Sequence, residues 1–217
     1  MDKIEAVVFD MDGLMFDTER IWVDSVMKTN KEYNTNITKE FLLDCMGLKN
    51  SAITERFKEI LPSNIDVAEF RNQNSYYVHK EIDEHGPGVK KGLFELLEFL
   101  KAHNIKMGVA TSSYSAKIDK SFSMAGLSKD YFKVIICGDQ LTESKPHPQI
   151  YLMACEMLGV NPKNAIALED SANGLLSAYR AGMKPVFIKD MKEHGKEILD
   201  LVYKRFDNLS QVISLFI

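Results

Sequence analysis

Near its N-terminus the chain reads AVVFDMDG over residues 6–13. The four consecutive apolar residues predict a strand that is buried on both faces, as in a parallel sheet. Two carboxylates follow the strand, and ligands of open parallel sheets bind just outside the carboxyl ends of the strands. Because side chains two residues apart in an extended chain point the same way, we expect Asp10 and Asp12 to face a common site.

The same segment has other interpretations. Asp and Gly are common in turns, so an ordinary turn is also compatible with it. An EF-hand calcium loop is excluded, because Leu14 stands where that loop needs its third oxygen ligand. Two acids at the end of a buried strand are costly unless a cation meets them, and this favours a functional site.

The composition is that of an ordinary globular protein. The chain has 217 residues, of which 45% are hydrophobic and 27% charged, enough for one or two domains with a sizeable core. The net charge of −4 and the lack of a basic block argue against nucleic acid as a partner. The cysteines, at residues 45, 137 and 155, have no metal-binding spacing. Because the sequence shows no signal peptide and no apolar run of membrane-spanning length, we expect a cytoplasmic protein without membrane contact. We also expect a monomer.

The rest of the chain divides into a helical part and an alternating part. From residue 16 to 85 the apolar spacing is helical and no strand pattern interrupts it. After Gly86-Pro87-Gly88, helices alternate with apolar strand patterns at residues 105–110, 134–137, 165–168 and 185–188. The pattern predicts an α/β fold, with a Rossmann-like three-layer core and parallel sheet from residues 1–15 and 86–217 and an inserted all-helical cap domain at residues 16–85.

Polar side chains follow three of the predicted strands. Together with a lysine before a proline-rich turn, they are Asp10, Asp12, Thr111, Ser112, Lys145, Glu169 and Asp170. Four carboxylates repel one another unless a hard cation is present, and oxygen ligands without His or Cys favour Mg²⁺. Hydroxyls at a helix N-terminus and a lysine suit a phosphate group. The combination predicts phosphoryl transfer.

The chain resembles the haloacid dehalogenase superfamily of hydrolases, in the branch of β-phosphoglucomutase and the sugar-phosphate phosphatases. Over essentially the whole chain, the resemblance rests on Asp10-Met11-Asp12-Gly13, Thr111-Ser112, Lys145-Pro146-His147-Pro148 and Leu168-Glu169-Asp170-Ser171. Each motif is common alone, but all four in order, each at a strand end, are specific. The resemblance implies a phosphatase that hydrolyses a sugar phosphate or nucleoside monophosphate through an aspartyl phosphate.

The resemblance also implies roles for these residues. Asp10 is expected to be the nucleophile. Asp12 is expected to be the general acid in the first step and the general base in the second. Thr111, Ser112 and Lys145 are expected to bind the transferring phosphoryl group.

A Mg²⁺ cofactor is implied as well. Its expected ligands are the Asp10 side chain, the Asp12 backbone carbonyl and Asp170, with Glu169 close by. A dehalogenase would use the same nucleophile without a metal or a second acid, so Asp12 and Asp170 argue against it. A binding module without activity is disfavoured, because no catalytic position is substituted.

Two departures in the cap domain concern the substrate. Where β-phosphoglucomutase has a His and an Arg that grips the second phosphate, this chain has Trp22 and Asn50, with Lys49 beside the latter. A mutase must hold a bisphosphate at both ends, and Lys does not replace Arg at a bidentate phosphate site. We therefore expect a phosphatase of a small phosphorylated metabolite whose specificity involves Trp22 and Lys49, with a mutase as the alternative.

Overall fold

The computed structural model describes residues 3–48 and 50–217. The chain divides into two compact units, one formed by Met1–Asp17 with Val89–Ile217 and the other by Thr18–Gly88. The sequence-based boundaries fall at residues 15 and 86, close to these positions. That the helical unit acts as a cap stays a prediction.

The helical unit contains, in the part of it that the structure describes, helices and no strand. The helices are α1 (Thr18–Glu32), α2 (Lys39–Cys45), α3 (Asn50–Ile60) and α4 (Val67–His85). The side chains of Thr38 and Asp66 accept backbone N–H hydrogen bonds at the starts of α2 and α4. The interior is aromatic, since Phe57 packs against both Phe41 and Phe70.

The other unit is built on a sheet of six parallel strands among its described residues. They are β1 (Ala6–Phe9), β2 (Lys106–Ala110), β3 (Val134–Ile136), β4 (Ala165–Glu169), β5 (Lys184–Ile188) and β6 (Lys204–Phe206). The order is β3-β2-β1-β4-β5-β6, so β1 is an inner strand with a neighbour on each side. The predicted α/β fold with a parallel sheet is confirmed. The apolar pattern of the sequence does not predict β6, because Lys204 and Arg205 are charged and exposed.

Helices pack on both faces of the sheet. The helices described in this unit are α5 (Leu93–Ala102), α6 (Ser115–Met124), α7 (Gln149–Leu158), α8 (Ala172–Arg180) and α9 (Lys196–Leu199), with 3₁₀ helices at Lys129–Tyr131, Gly138–Gln140, Pro162–Asn164 and Leu209–Leu215. Alternate residues of β1 point to opposite faces. Val7 and Phe9 pack with residues of α5 and α6, whereas Ala6 and Val8 pack with residues of α7 and α8.

All three cysteines are buried. Across residues 3–48 and 50–217, none of the helices combines the length and the apolar character that crossing a bilayer requires.

Candidate active site

The carboxyl ends of β1, β2 and β4 lie side by side. Phe9 pairs with Val109 of β2 and with Leu168 of β4. The next residues along β1 and β4 are Asp10 and Glu169, and the backbone N–H of Asp10 donates to the Leu168 carbonyl at 3.0 Å. The register of the sheet therefore brings two acids from distant parts of the sequence to one edge.

Lys145 joins these two acids. Its ammonium donates to Asp10 Oδ1 at 2.5 Å and to Glu169 Oε1 at 2.6 Å. A third hydrogen bond, of 2.9 Å, goes to the carbonyl of Ala110 at the end of β2. The three donors of the ammonium are thus all used, and its side chain is only 7% exposed. The lysine is a fixed, buried cation.

The burial of this group changes its pKa values. Burial, aided by the nearby Glu169 and Asp12, raises the pKa of Asp10 to about 7 although Lys145 acts in the opposite direction. Burial lowers the pKa of Lys145, but the carboxylates of Asp10 and Glu169 outweigh it, so that the pKa lies above its usual value. Lys145 therefore stays protonated, and a single ammonium faces two buried carboxylates.

Further residues fix Glu169. The Tyr151 hydroxyl donates to Oε1 at 2.5 Å, and the Ser171 hydroxyl donates to Oε2 at 3.1 Å. Tyr151 is fully buried, and burial beside Glu169 raises the pKa of its phenol well above the usual value, so it keeps its proton. A Cβ added to Gly174 of α8 would lie 1.9 Å from the Glu169 carboxyl carbon. We call Asp10, Lys145, Tyr151 and Glu169 the buried cluster.

Asp12 lies in a more open environment. Its Oδ2 accepts a hydrogen bond of 2.6 Å from the Ser113 hydroxyl, and its Oδ1 lies 2.7 Å from the Lys117 ammonium. The Lys117 side chain is 44% exposed. We call Asp12, Ser113 and Lys117 the Asp12 cluster.

The predicted hydroxyl pair after β2 separates into two environments. Thr111 is buried, and its hydroxyl accepts the backbone N–H of Ser113 at 3.0 Å, which shapes the turn before α6. Ser112 is exposed. The hydroxyl bound to Asp12 is that of Ser113, one residue beyond the predicted pair. Phosphate binding by Thr111 and Ser112 stays a prediction.

Tyr151, Lys117 and Ser113 also belong to the site, but the sequence contains only weak signals for them. Tyr151 lies six residues after Lys145 and belongs to the apolar face of α7, which resembles any core helix. Lys117 lies on α6, where an exposed lysine is commonplace. Ser113 gave the one useful signal of the three, because it directly follows Thr111 and Ser112, the predicted phosphate-binding residues at the end of β2.

Three carboxylates in the described part of the chain could hold a metal ion. Asp10, Glu169 and Asp170 each present an oxygen, and these atoms all lie within 4.8 Å of one another. Asp170 follows β4, and its backbone carbonyl lies 2.7 Å from Nε2 of His194. Carboxylate oxygens suit hard divalent cations, and Lys145 pairs with two of these three acids, Asp10 and Glu169. The residues therefore fit a divalent cation.

The predicted specificity residues belong to the helical unit. Trp22 lies on α1 and is half-buried. Lys49 lies outside the described residues. Its neighbour Asn50 accepts hydrogen bonds from Arg71, with its backbone carbonyl at 3.0 Å and its side-chain oxygen at 3.1 Å. The roles of Trp22 and Lys49 stay predictions.

Comparisons with known proteins identify the family. Residues 7–188 match the family model described as haloacid dehalogenase-like hydrolase. The phosphorylated carbohydrates phosphatase of Thermotoga maritima is 30% identical over 201 residues, 91% of each chain. Hexitol phosphatase B of Escherichia coli strain K12 is 29% identical over 191 residues, 86% of this chain and 84% of that one. The solved β-phosphoglucomutase of Clostridium difficile has a TM-score of 0.74 at 26% identity, covering 96% of this chain and 93% of that chain.

The family match extends from β1 to β5 and includes the whole buried cluster. These proteins are named as phosphatases and as a phosphosugar mutase. Both activities belong to the branch of the superfamily that the sequence motifs resemble. The superfamily predicted from the four motifs, and with it an enzyme, is confirmed. The chain belongs to the haloacid dehalogenase-like hydrolases.

Proposed function

We propose that the protein is a Mg²⁺-dependent phosphatase that hydrolyses a small phosphate monoester through an aspartyl phosphate. The observation that carries the proposal is the meeting of Asp10 with Lys145, Glu169 and Asp170 at one edge of the sheet. A carboxylate nucleophile, a buried cation and a set of acidic oxygens suit phosphoryl transfer, whose catalysis is mostly positioning and charge neutralisation. The relatives named as carbohydrate and hexitol phosphatases support a sugar phosphate as the substrate.

In the proposed first step, an oxygen of the Asp10 carboxylate attacks phosphorus. A bond forms between this oxygen and phosphorus, and the bond from phosphorus to the alcohol oxygen breaks. Asp12 gives its carboxyl proton to the departing oxygen, so the alcohol leaves as a neutral molecule. Thr111 and Ser112 are the proposed donors to the phosphoryl oxygens, together with Lys145, which would exchange one of its three present acceptors for a phosphoryl oxygen.

In the second step, a water oxygen attacks the phosphorus of the aspartyl phosphate. The Asp12 carboxylate accepts a proton from this water, and the bond between phosphorus and the Asp10 oxygen breaks. The products are inorganic phosphate and the regenerated Asp10 carboxylate. A partly exposed Asp12 suits this step, because the water must reach it.

The acidic oxygens would hold the cation. We assign it to the Asp10 side chain, the Asp12 backbone carbonyl and Asp170, with Glu169 nearby. When bound, Mg²⁺ supplies positive charge that neutralises the phosphoryl oxygens. The protein's own contribution is orientation, since Lys145 holds Asp10 and Glu169 in fixed positions.

A phosphosugar mutase is the second candidate, since the similar β-phosphoglucomutase structure shares the fold. We favour the phosphatase because Asn50, at the position of the mutase Arg, has its polar oxygens bound to Arg71 within the helical unit. Trp22 and Lys49 remain the proposed specificity residues. We also propose that the protein is a monomer in the cytoplasm and that its substrate is a phosphorylated metabolite.

The test is phosphate release from p-nitrophenyl phosphate, glucose 6-phosphate, sorbitol 6-phosphate, β-glucose 1-phosphate and AMP. We expect that EDTA abolishes phosphate release and that added Mg²⁺ restores it, because without a cation the acidic oxygens would repel the phosphate group. Equal rates in EDTA and in Mg²⁺ would contradict the metal assignment. For the mutase, β-glucose 1-phosphate is coupled to glucose-6-phosphate dehydrogenase with a bisphosphate primer present. Glucose 6-phosphate appearing faster than free phosphate would favour the mutase.

A further inference from the structure

Asp12 is held by two donors from the start of α6. Ser113, just before the helix, donates to Oδ2 at 2.6 Å, and Lys117, in its first turn, lies 2.7 Å from Oδ1. Each oxygen of the carboxylate therefore has its own partner. Two contacts to two atoms fix both the rotamer and the plane of the carboxylate, and charge-assisted contacts of this kind are short and directional.

The proposed chemistry needs such a restraint at Asp12 more than at Asp10. Asp10 is bound to Lys145, which is itself buried. The Asp12 side chain is 20% exposed and lies beyond the end of β1, where the sheet no longer fixes its direction. A general acid must lie within hydrogen-bond reach of the departing oxygen to be effective.

We propose that Lys117 is a positioning residue for Asp12. With Ser113, it holds the carboxyl group at the angle from which Asp12 protonates the departing alcohol. The inference rests on the proposed function. The transferred proton starts on Oδ2 of Asp12, beside the Ser113 hydroxyl, which can turn because it both donates and accepts. It passes to the alcohol oxygen as the bond to phosphorus breaks, while Lys117 stays at Oδ1 and keeps its own protons, and the carboxylate that results is the form that both donors bind.

The proposal predicts a dependence on the leaving group. An alkoxide is a poor leaving group and needs the proton, whereas p-nitrophenolate leaves without it. The ratio kcat/KM reports the steps up to formation of the aspartyl phosphate, so it is not affected by the role of Asp12 in the second step. Loss of the restraint should therefore lower kcat/KM for alkyl phosphates and spare p-nitrophenyl phosphate.

The experiment compares Lys117→Met with the wild type on p-nitrophenyl phosphate, glucose 6-phosphate and sorbitol 6-phosphate. Because general acid catalysis contributes about 10²–10⁴-fold, we expect kcat/KM for the better alkyl phosphate to fall at least about tenfold, and less than about threefold for the aryl ester. Lys117→Arg keeps a cation at this position and should recover most of the loss. Ser113→Ala should show the same selectivity.

Lys129→Met is the matched control. Lys129, in the 3₁₀ helix Lys129–Tyr131, forms an ion pair of 2.5 Å with Asp119 of α6, so this variant also removes a lysine charge that is paired with an aspartate. It should leave kcat/KM of both substrate types within about twofold, as surface substitutions usually do. A Lys117→Met variant that lowers both types equally, or neither, overturns the inference. A wild type inactive on every ester, or an active Asp10→Asn variant, would instead contradict the proposed function.

Discussion

The two aspartates that follow β1 are two residues apart, yet their partners differ. Asp10 is bound to Lys145, whose side chain is 7% exposed, whereas Asp12 is bound to Lys117, whose side chain is 44% exposed. When a buried ion pair loses one member, the other charge is left uncompensated. A half-exposed ion pair contributes little to the stability of the protein, because water screens its charges. We therefore expect the buried cluster to control stability and all turnover, whereas in kcat/KM the contacts of Lys117 and Ser113 with Asp12 control how well poor leaving groups depart.

The largest effect is expected from Asp10→Asn. The amide keeps the shape of the side chain, and Lys145 retains Glu169 and the Ala110 carbonyl as acceptors, so the fold should persist. Because the nucleophile is lost, kcat should fall at least about a thousandfold for aryl and alkyl phosphates alike. The measurement is phosphate release with saturating Mg²⁺, and circular dichroism checks the fold. Residual activity above a few per cent of the wild type would reassign the nucleophile.

The same contrast explains what the sequence could predict. Asp10 and Glu169 each follow an apolar run that forms a strand of the parallel sheet. The apolar run predicts a buried strand, and the acid at its carboxyl end predicts a site. Lys145 belongs to a family motif and precedes a proline-rich turn that suits phosphate binding, but nothing in its local pattern shows that it returns to β1. Lys117 had no such motif, and its contact with Asp12 joins residues 105 positions apart.

Tyr151 and β6 show the other limit of sequence patterns. Tyr151 fits the apolar face of α7, and its hydroxyl becomes informative only when Glu169 is seen beside it. The strand β6 pairs with β5 through its backbone, and that pairing leaves no signature in two charged, exposed residues. Strand ends and helix faces can thus be predicted, whereas contacts between distant side chains need the structure.

The next effect in size is expected from Gly174→Ala. The added methyl group would fall 1.9 Å from the Glu169 carboxyl carbon, and Glu169 is held on its other sides by Lys145 and Tyr151. The clash should lower the free energy of unfolding by about 3 kcal/mol, the upper range for overpacking a core. Urea denaturation measures the change.

Gly126→Ala is the control for this variant. A Cβ at Gly126 would meet no atom within 4 Å, but its φ of +64° is unfavourable for Ala. The conformational cost alone should be about 1 kcal/mol. If Gly174→Ala were no more destabilising than Gly126→Ala, the close approach of α8 to Glu169 would be wrong, and the buried cluster would be less tightly packed than described.

The smallest effect is expected from Tyr151→Phe, which removes a single hydroxyl. Glu169 Oε1 then loses one donor but keeps Lys145, and Oε2 keeps Ser171, so no buried charge becomes unpaired. The ring itself remains, and with it the packing against the Lys145 ammonium, which lies 5.0 Å from the ring centre. The loss should be about 1.5 kcal/mol in the free energy of unfolding, the lower end of the range for one hydrogen bond to a charged group.

Tyr131→Phe supplies the matched comparison, because its hydroxyl also donates to a carboxylate, that of Glu98, in an exposed setting. Water replaces that bond when the hydroxyl is removed, so the change should stay within about 0.5 kcal/mol. The same chemical deletion is thus made once inside the buried cluster and once at the surface. Equal losses for the two variants would mean that burial adds nothing to the hydrogen bonds of Glu169. In that case the difference between the two aspartates would be one of exposure alone, without a consequence for stability.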